Sequence, residues 1–417
     1  MYVGGNYTKP TPSNQNGFLT FTLTHMQKIS VLFLTNAYPD FDSSYRGIFI
    51  KKMASLLKTE GYDIAVVTPK IYKKSRYVEE QNGMKVYRFP FFSGNRLLIE
   101  YDKIPYLRMC FYYVSGFLLS LYAFIRHRCQ MIHVHWAIPT GLIGVGIAFL
   151  SRKPLMVTIH GSDFRLAMDQ SSFLKRVFLY VCKKANHLHC VSDGMKKELE
   201  DLGIDGGRIS AFPMGIESGF LDKEGAQRVG FGKRPTTILS NRNLLPIYNV
   251  SLFIRAIPLV LREESKVKFL VAGDGPEREK LEREAKNLSI GDFVQFLGRI
   301  PHDAMLNLLS QTDIYVSTSL CDGTSVSLLE ALGSGAFPVV TDIPSNREWI
   351  SDGENGFLVP TDEERVLAVR IIEAIRNRSL AEKASQKNLR LVTEKVLWPA
   401  TIEKTKRIYE KVLSSEN

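Results

Sequence analysis

DIYVSTSLCDGTSVSLLEALGSG, residues 313–335, changes character twice within 23 residues. Its first part, DIYVSTS (313–319), is a short apolar run of strand type, and VSLLEALGSG continues with helical spacing. A strand that passes through a tight loop into a helix is the repeating unit of a parallel sheet covered on both faces. The loop holds Asp322, Gly323, Thr324 and Ser325. Backbone N–H groups at a helix start lack partners and sit at the positive end of the dipole, so they suit a diphosphate. Gly323 allows close backbone approach. Glu330 stands one and a half turns into the helix, where its carboxylate can accept both hydrogen bonds of a ribose diol. Asp322, on the loop, can reach sugar hydroxyls. Taken alone, the segment also fits an ordinary strand–turn–helix with a Ser cap and a solvated Glu.

The same alternation extends outward in both directions. On the C-terminal side, AFPVVT (336–341) is the next strand. On the N-terminal side, strands at 236–241, 266–273 and 292–298 alternate with helices at 248–263, 276–288 and 301–310. The pattern stops at 212–235, where Pro213, Gly215, Gly219, Gly225, Gly230, Gly232 and Pro235 crowd together without periodicity. Before that break it restarts. Strands at 28–36, 63–69, 130–136, 153–161 and 187–192 are joined by helices at 47–61, 104–127, 140–150 and 170–185, with a last helix running to Gly203. The expected architecture is α/β, with two Rossmann-like doubly wound parallel-sheet domains facing each other across a cleft. The boundaries read as a disordered tail at 1–25, a first domain at 26–220, a linker at 221–235 and a second domain at 236–395. A C-terminal helix at 396–417 is expected to pack back on the first domain.

Composition narrows the class. With 417 residues, 45% hydrophobic and 23% charged, the chain is globular and suits two domains. Its five cysteines are odd in number and none has CxxC spacing, which argues against a disulfide framework or zinc site and for a reducing cytoplasm. The net charge is +11, and all of the excess lies in residues 1–230, with 29 Lys and Arg against 18 Asp and Glu. Residues 231–417 carry 25 of each. A basic half attracts anionic lipid, nucleic acid or phosphorylated substrate. No nucleic-acid-binding motif accompanies the charge, so nucleic acid is not expected as a partner. Residues 1–25 lack the basic-then-apolar order of a signal peptide. Met109–Ile125 is 17 residues without a charge, short of the roughly 20 that a spanning helix needs. It reads as a buried or surface-associated helix.

Several motifs in fixed order resemble glycosyltransferase family 4, over nearly all of residues 28–413. The 313–335 segment resembles the family's signature of two acidic residues eight positions apart, here Asp322 and Glu330. Asp replaces the first Glu, and Thr324-Ser325 replace an aromatic–Gly pair. YRGIFIKKMASLLKTEG (45–61) resembles the family's first glycine loop, with Arg46 and Gly47 beside acceptor and donor phosphate. MIHVHW (131–136) places His135 on the acceptor side. His160-Gly161-Ser162-Asp163 matches a His-Gly-x-Asp turn whose histidine lies at the reacting centre, with Asp163 on the acceptor side. FPMGIE (212–217) resembles the Pro-Asn-Gly turn. GDGPERE (273–279), opening on Gly273, and FLGRI (296–300), containing Arg299, match donor-domain loops.

The family places an Arg at the end of the strand before SNRNLLPIYNV (240–250) and a Lys six residues later, both on the diphosphate. Arg242 is present, but position 248 is Tyr, which cannot neutralise a phosphate. Either another cation substitutes, Arg299 first, or donor binding is weaker, or activity is lost. His133 and His135 face one side of a strand and read as packing or acceptor contact. GxxGxG at 141–146 is not the dinucleotide order and reads as close helix–strand packing.

The resemblance implies the GT-B fold and a retaining transfer from a UDP- or GDP-sugar without metal or other cofactor. The donor site would comprise Gly47, Arg242, Tyr248, Gly273, Arg299, Gly323, Thr324, Ser325 and Glu330. His160, Asp322 and Glu330 would serve catalysis. The acceptor would be a lipid-linked sugar or glycan in cell-surface polysaccharide or glycolipid synthesis. A non-catalytic partner subunit and a sugar-nucleotide epimerase of the same fold remain open. The basic first domain, with Lys51-Lys52, Lys73-Lys74-Arg76 and Lys183-Lys184 beside the aromatic stretch 89–101, points to an anionic membrane surface. The expected location is cytoplasmic, peripheral on the inner face of the cell membrane.

Overall fold

The structure, a computed structural model, describes residues 28–41, 44, 46–95, 105–169, 171–221 and 234–415. The tail at 1–25, most of the linker at 221–235 and the end of the aromatic stretch 89–101 lie outside the described residues.

The first half opens with β1 (Ser30–Thr35), α1 (Ile48–Thr59) and β2 (Asp63–Lys70). The hairpin β3 (Val78–Gln81) and β4 (Met84–Pro90) and the long α2 (Tyr106–Arg126) follow. Next come β5 (Met131–His135), α3 (Gly141–Ser151), β6 (Leu155–Ile159) and α4 (Ser162–Asp169). It ends with α5 (Ser172–Lys184), β7 (His187–Cys190), α6 (Asp193–Asp201) and β8 (Ile209–Ala211). These strands form a sheet in the order β3-β4-β2-β1-β5-β6-β7-β8, parallel except for the β3–β4 pair. Every residue of β1, β5, β6 and β7 is buried, because helices cover both faces.

The second half contains β9 (Thr236–Ser240), α7 (Val250–Leu261), β10 (Val267–Ala272), α8 (Arg278–Asn287) and β11 (Val294–Gly298). It continues with α9 (His302–Ser310), β12 (Ile314–Ser317), α10 (Val326–Gly333), β13 (Phe337–Thr341), α11 (Pro344–Arg347) and β14 (Phe357–Val359). The chain ends with α12 (Glu364–Arg376), α13 (Arg378–Lys395) and α14 (Trp398–Ser414). The second sheet is all parallel, in the order β11-β10-β9-β12-β13-β14. Trp398, Ile402, Ile408, Tyr409 and Val412 of α14 belong to the core of the first half, and the Tyr409 hydroxyl bonds His133 Nδ1 at 2.6 Å.

Strand order reverses between β1 and β5 in the first sheet and between β9 and β12 in the second. Loops at such a reversal part to opposite faces and leave a crevice beyond the strand ends, where ligands bind in open α/β sheets. The loops after β1, β5, β9 and β12 are those carrying Gly47, Trp136, Arg242 and Asp322.

The GxxGxG run packs tightly, as its spacing implies. A Cβ on Gly144 would stand 2.3 Å from Val134, one on Gly141 2.6 Å from Val181, and one on Gly146 2.9 Å from Phe117. Two readings change. In the described part of the aromatic stretch, Phe89 of β4 packs with Phe91 against Tyr112, and only Phe92 of these three phenylalanines is exposed. The structure also contains the β3–β4 hairpin and α4, which apolar periodicity does not announce. The hairpin's signal was Asn82-Gly83, whose φ values of 49° and 70° make the tight turn that suits paired strands.

Candidate active site

Arg242 follows β9, and its guanidinium reaches across to the loop after β12. Nη1 donates to Ser325 Oγ at 2.5 Å and Nη2 pairs with the Asp322 carboxylate. Ser325 also caps α10, accepting from the Leu328 N–H at 3.3 Å. The Arg242 guanidinium lies 4.1 Å from the centroid of the Tyr248 ring. Tyr248 therefore serves as a platform under the cation and does not replace the missing Lys. Gly273 stands behind this loop: at φ 137° its Cβ position is 2.0 Å from the Arg242 carbonyl oxygen, so only glycine fits. It braces Arg242 from outside the cleft lining.

Glu330 is 7% exposed on α10 and faces a cleft of about 720 Å³ between the two sheets. Burial, with the nearby Glu217 carboxylate second, pushes its carboxyl up to about 8. Thr324 and Ser325 line the same cleft.

The opposite wall comes from the first domain. Gly47 caps α1 at φ 66°, where a Cβ would stand 2.2 Å from the Ala37 carbonyl oxygen. Glycine lets the helix start sit against the loop after β1. Phe49, Lys51 and Lys52 of α1 line the cleft. This corrects the reading of Lys51-Lys52 as a membrane cluster. Lys52 is held by Glu217 at 2.9 Å. Arg299, the first expectation for a cation in place of the family Lys, is exposed and lies outside the residues that line the cleft. Lys52 lies on the facing wall, a position that nothing in its spacing announces, because sequence does not say which side of α1 meets the second domain.

His160 directly follows β6, and its Nε2 lies 3.2 Å from His135 Nδ1. The Trp136 and Phe49 rings flank it at 4.4 and 5.2 Å. Burial, with His189 second, pushes the His160 imidazole down to about 3. It is neutral at physiological pH and cannot act as a general acid there. His135 is buried and its Nε2 has no partner among the described residues, so the neutral tautomer that leaves no donor unmet carries its proton on Nδ1 and donates to His160. His160 then carries its own proton on Nδ1. His135 positions His160 and is not an acceptor contact. Trp136 adopts φ 70°, a left-handed backbone for a bulky residue that no sequence signal announces.

Two acceptor-side candidates are buried and bonded within the first domain. Asp163 is buried, and its oxygens accept from the Ala137 N–H at 2.7 Å and the His160 N–H at 3.1 Å. It ties two loops together beneath the cleft. Arg46 is buried too, paired with Asp40 at 2.9 Å and donating to the Asn36 carbonyl at 2.6 Å.

The two domains touch beside His160. A Cβ on Gly323 would lie 2.9 Å from the His160 carbonyl oxygen, and one on Gly161 2.9 Å from Gly323 Cα. Thr324 Oγ1 donates to the Val191 carbonyl at 2.6 Å, and Glu348 accepts from the Gly194 N–H at 2.6 Å. Among the described residues no group of three or more His, Cys, Asp or Glu is arranged to hold a metal ion.

Known proteins match this arrangement along most of the chain. The family described as Glycosyltransferase Family 4 matches residues 47–219, and Glycosyl transferases group 1 matches residues 223–390. The chain is 25% identical over 345 residues to the alpha-monoglucosyldiacylglycerol synthase of Streptococcus pneumoniae, covering 78% of this chain and 74% of that one. It is 23% identical over 367 residues to the phosphatidylinositol N-acetylglucosaminyltransferase GPI3 subunit of Saccharomyces cerevisiae, covering 86% and 77%. HepE of Anabaena, solved in complex with UDP-glucose, superposes with a TM-score of 0.70 at 16% identity over 93% of this chain and 100% of that one.

Proposed function

The chain belongs to glycosyltransferase family 4 and has the GT-B fold, and from that premise we propose that it transfers a sugar from a nucleotide-diphosphate donor to a lipid-linked or membrane-proximal acceptor, with retention and without a metal. The observation that carries this reading is the joining of Arg242, the α10 N-terminus and buried Glu330 on one wall of the cleft, opposite Phe49 and Lys52 of α1, with the Phe49 ring against His160. The relatives support its two halves. HepE holds UDP-glucose on the same fold, and the pneumococcal and yeast relatives are named for glycolipid products or lipid acceptors.

In this account Glu330 accepts from the ribose diol, and the diphosphate lies between Arg242 and the start of α10. The bond from the anomeric carbon to the phosphate oxygen breaks and one to the acceptor oxygen forms on the same face. The acceptor proton passes to the departing phosphate. Arg242 and the helix N–H groups stabilise the charge that develops on that phosphate. The His160 carbonyl faces positive charge on the sugar, and the neutral imidazole donates to a sugar hydroxyl through Nδ1. Domain contact through Gly161 and Gly323 excludes water. An epimerase would need free carboxylates at the sugar, and Asp163 has both oxygens committed to backbone N–H groups. The five free cysteines and the lipid relatives support a cytoplasmic, membrane-peripheral location.

The reading is tested by incubating the protein in EDTA with UDP-, GDP- and ADP-sugars and vesicles containing diacylglycerol or phosphatidylinositol. Nucleotide release with a product of unchanged anomeric configuration is expected. Inverted product, or strict dependence on Mg²⁺ or Mn²⁺, would refute it.

Lys52 supplies the second positive charge in place of the family Lys. Lys52→Ala is expected to raise donor KM about tenfold, the order of one charge-assisted hydrogen bond. Arg299→Ala should leave it unchanged. Equal KM values would refute the Lys52 assignment, and a rise for Arg299→Ala alone would give the role to Arg299.

A further inference from the structure

The helices α2, α3 and α5 lie side by side on one face of the first sheet. Each leads into a parallel strand displaced in the same direction across the sheet, and right-handed crossovers then place all three on one side with a common direction. Their inner surfaces are core: Tyr112, Gly116, Ala123 and Phe124 of α2 are buried. Their outer surfaces are apolar. On α2, Leu107, Phe111, Val114, Leu118, Tyr122 and Ile125 are exposed at steps of three and four residues, Leu107 by 75%. Phe149 is 82% exposed at the end of α3, and Phe173 is 69% exposed on α5. Between α2 and α3 runs a groove of about 420 Å³ lined by Tyr113, Val114, Phe117, Leu118, Leu142 and Ile143. By length and composition α2 could cross a bilayer, but its inner face is built into the domain, so it lies on the surface.

The same segment holds most of the charge excess. Residues 105–190 contain ten Lys and Arg and two acids, Asp163 and Asp169, which gives +8 of the chain's +11. Because the helices share a direction, Arg126 and Arg128 at the end of α2, Arg152 and Lys153 after α3, and Lys183 and Lys184 at the end of α5 gather along one edge. Helix dipoles favour cations at those ends, but they do not account for an apolar outer face. A second copy of this face would bring like charges together, so self-association does not cover it.

We propose that this face docks on an anionic bilayer leaflet, with the α2 stripe and Phe149 entering the acyl boundary and the cationic edge meeting lipid phosphates. An apolar stripe beside cations matches both layers of such a surface. Docking there lays α2 and α3 along the leaflet, and the start of α3 follows the Trp136 loop that contacts His160, where a lipid-borne acceptor would be presented. The inference rests on the membrane-proximal acceptor reading but moves the contact away from Lys51-Lys52 and the 89–101 aromatics.

Cys110 is exposed on α2, while Cys129, Cys182 and Cys190 are buried. With Cys321→Ser removing the other accessible thiol, a polarity-sensitive fluorophore on Cys110 of the full chain reports insertion. Vesicles of phosphatidylglycerol and phosphatidylcholine should shift its emission to the blue, and phosphatidylcholine alone should not. Val114→Glu with Leu118→Glu should weaken binding to anionic vesicles at least tenfold. Because both positions are exposed, melting temperature and lipid-free donor hydrolysis should be unchanged. Unaltered vesicle binding by the double variant, no blue shift on binding, or no binding by the parent would overturn the proposal. The last result would turn the face toward a protein partner. Donor hydrolysis without lipid reads the cleft separately, so failure of docking and failure of the transferase reading are distinct results.

Discussion

Arg242→Ala should lower turnover by about 10²–10³, the range for losing one preorganised donor to developing charge. The expectation is large because the guanidinium connects three features: it bonds the Ser325 hydroxyl that caps α10, pairs with Asp322 and rests on Tyr248. Removing it takes the only cation that bonds the Asp322–Ser325 loop among the described residues and leaves the Asp322 carboxylate uncompensated. Folding should change little by comparison, because Asp322 is partly open to water. Arg242→Lys keeps the charge but not the fork that spans Ser325 and Asp322, so it should recover only part of the loss. Tyr248→Phe retains the ring and should stay near parental turnover. Steady-state kinetics on the three variants checks the order. Equal losses for Arg242→Ala and Tyr248→Phe would show that the phosphate is held elsewhere.

Glu330→Ala should weaken donor binding by about 1.5–3 kcal/mol, the range for a hydrogen bond to a charged group, or roughly 10- to 150-fold. The carboxyl is pushed up to about 8 because it is buried and faces Glu217, so below that pH the free protein holds the proton. Accepting both ribose hydroxyls requires the carboxylate, so donor binding should release a proton near neutral pH and tighten as pH rises toward 8. Stability should run the other way. The folded state keeps the proton up to about 8, whereas the unfolded state loses it near the ordinary Glu value. Between those values the unfolded state binds fewer protons, so folding stability falls as pH rises. Glu330→Gln, which has no proton to lose, should gain stability relative to the parent from about pH 5 to 8. Melting curves across that range test the sign, and parallel curves for the two proteins would show that the carboxyl is not held protonated.

Much of this site could be read from the chain because local rules and global topology agree. Apolar runs such as VLFL and the helix periods between them dictate covered parallel strands, and a parallel sheet puts the loops after its strands at one end. Arg242, Gly323, Ser325 and Glu330 were thus placed together before any contact was known. What sequence could not supply depends on the relation between elements distant in the chain. The roles of Lys52 and Tyr248 follow from which surfaces of α1 and of the β9 loop meet the opposite wall. Arg46 and Asp163 look like site residues because polar groups recur near ligands, yet here they satisfy backbone and buried charge. Lys51-Lys52 is a related case: the cationic pair is visible in sequence, but whether its helix faces the cleft or solvent is not.

The central claim is a nucleotide-diphosphate site formed by Arg242, the start of α10 and Glu330. Its most direct test is the melting temperature of the parent, Arg242→Ala and Glu330→Ala in EDTA with saturating UDP, GDP or ADP. At about 100 times its dissociation constant a ligand adds about 2.7 kcal/mol of stability. The account predicts that at least one of these nucleotides raises the parent's melting temperature by several degrees, and that both variants lose most of the rise. No rise with any of the three, or a rise that survives in both variants, would contradict it.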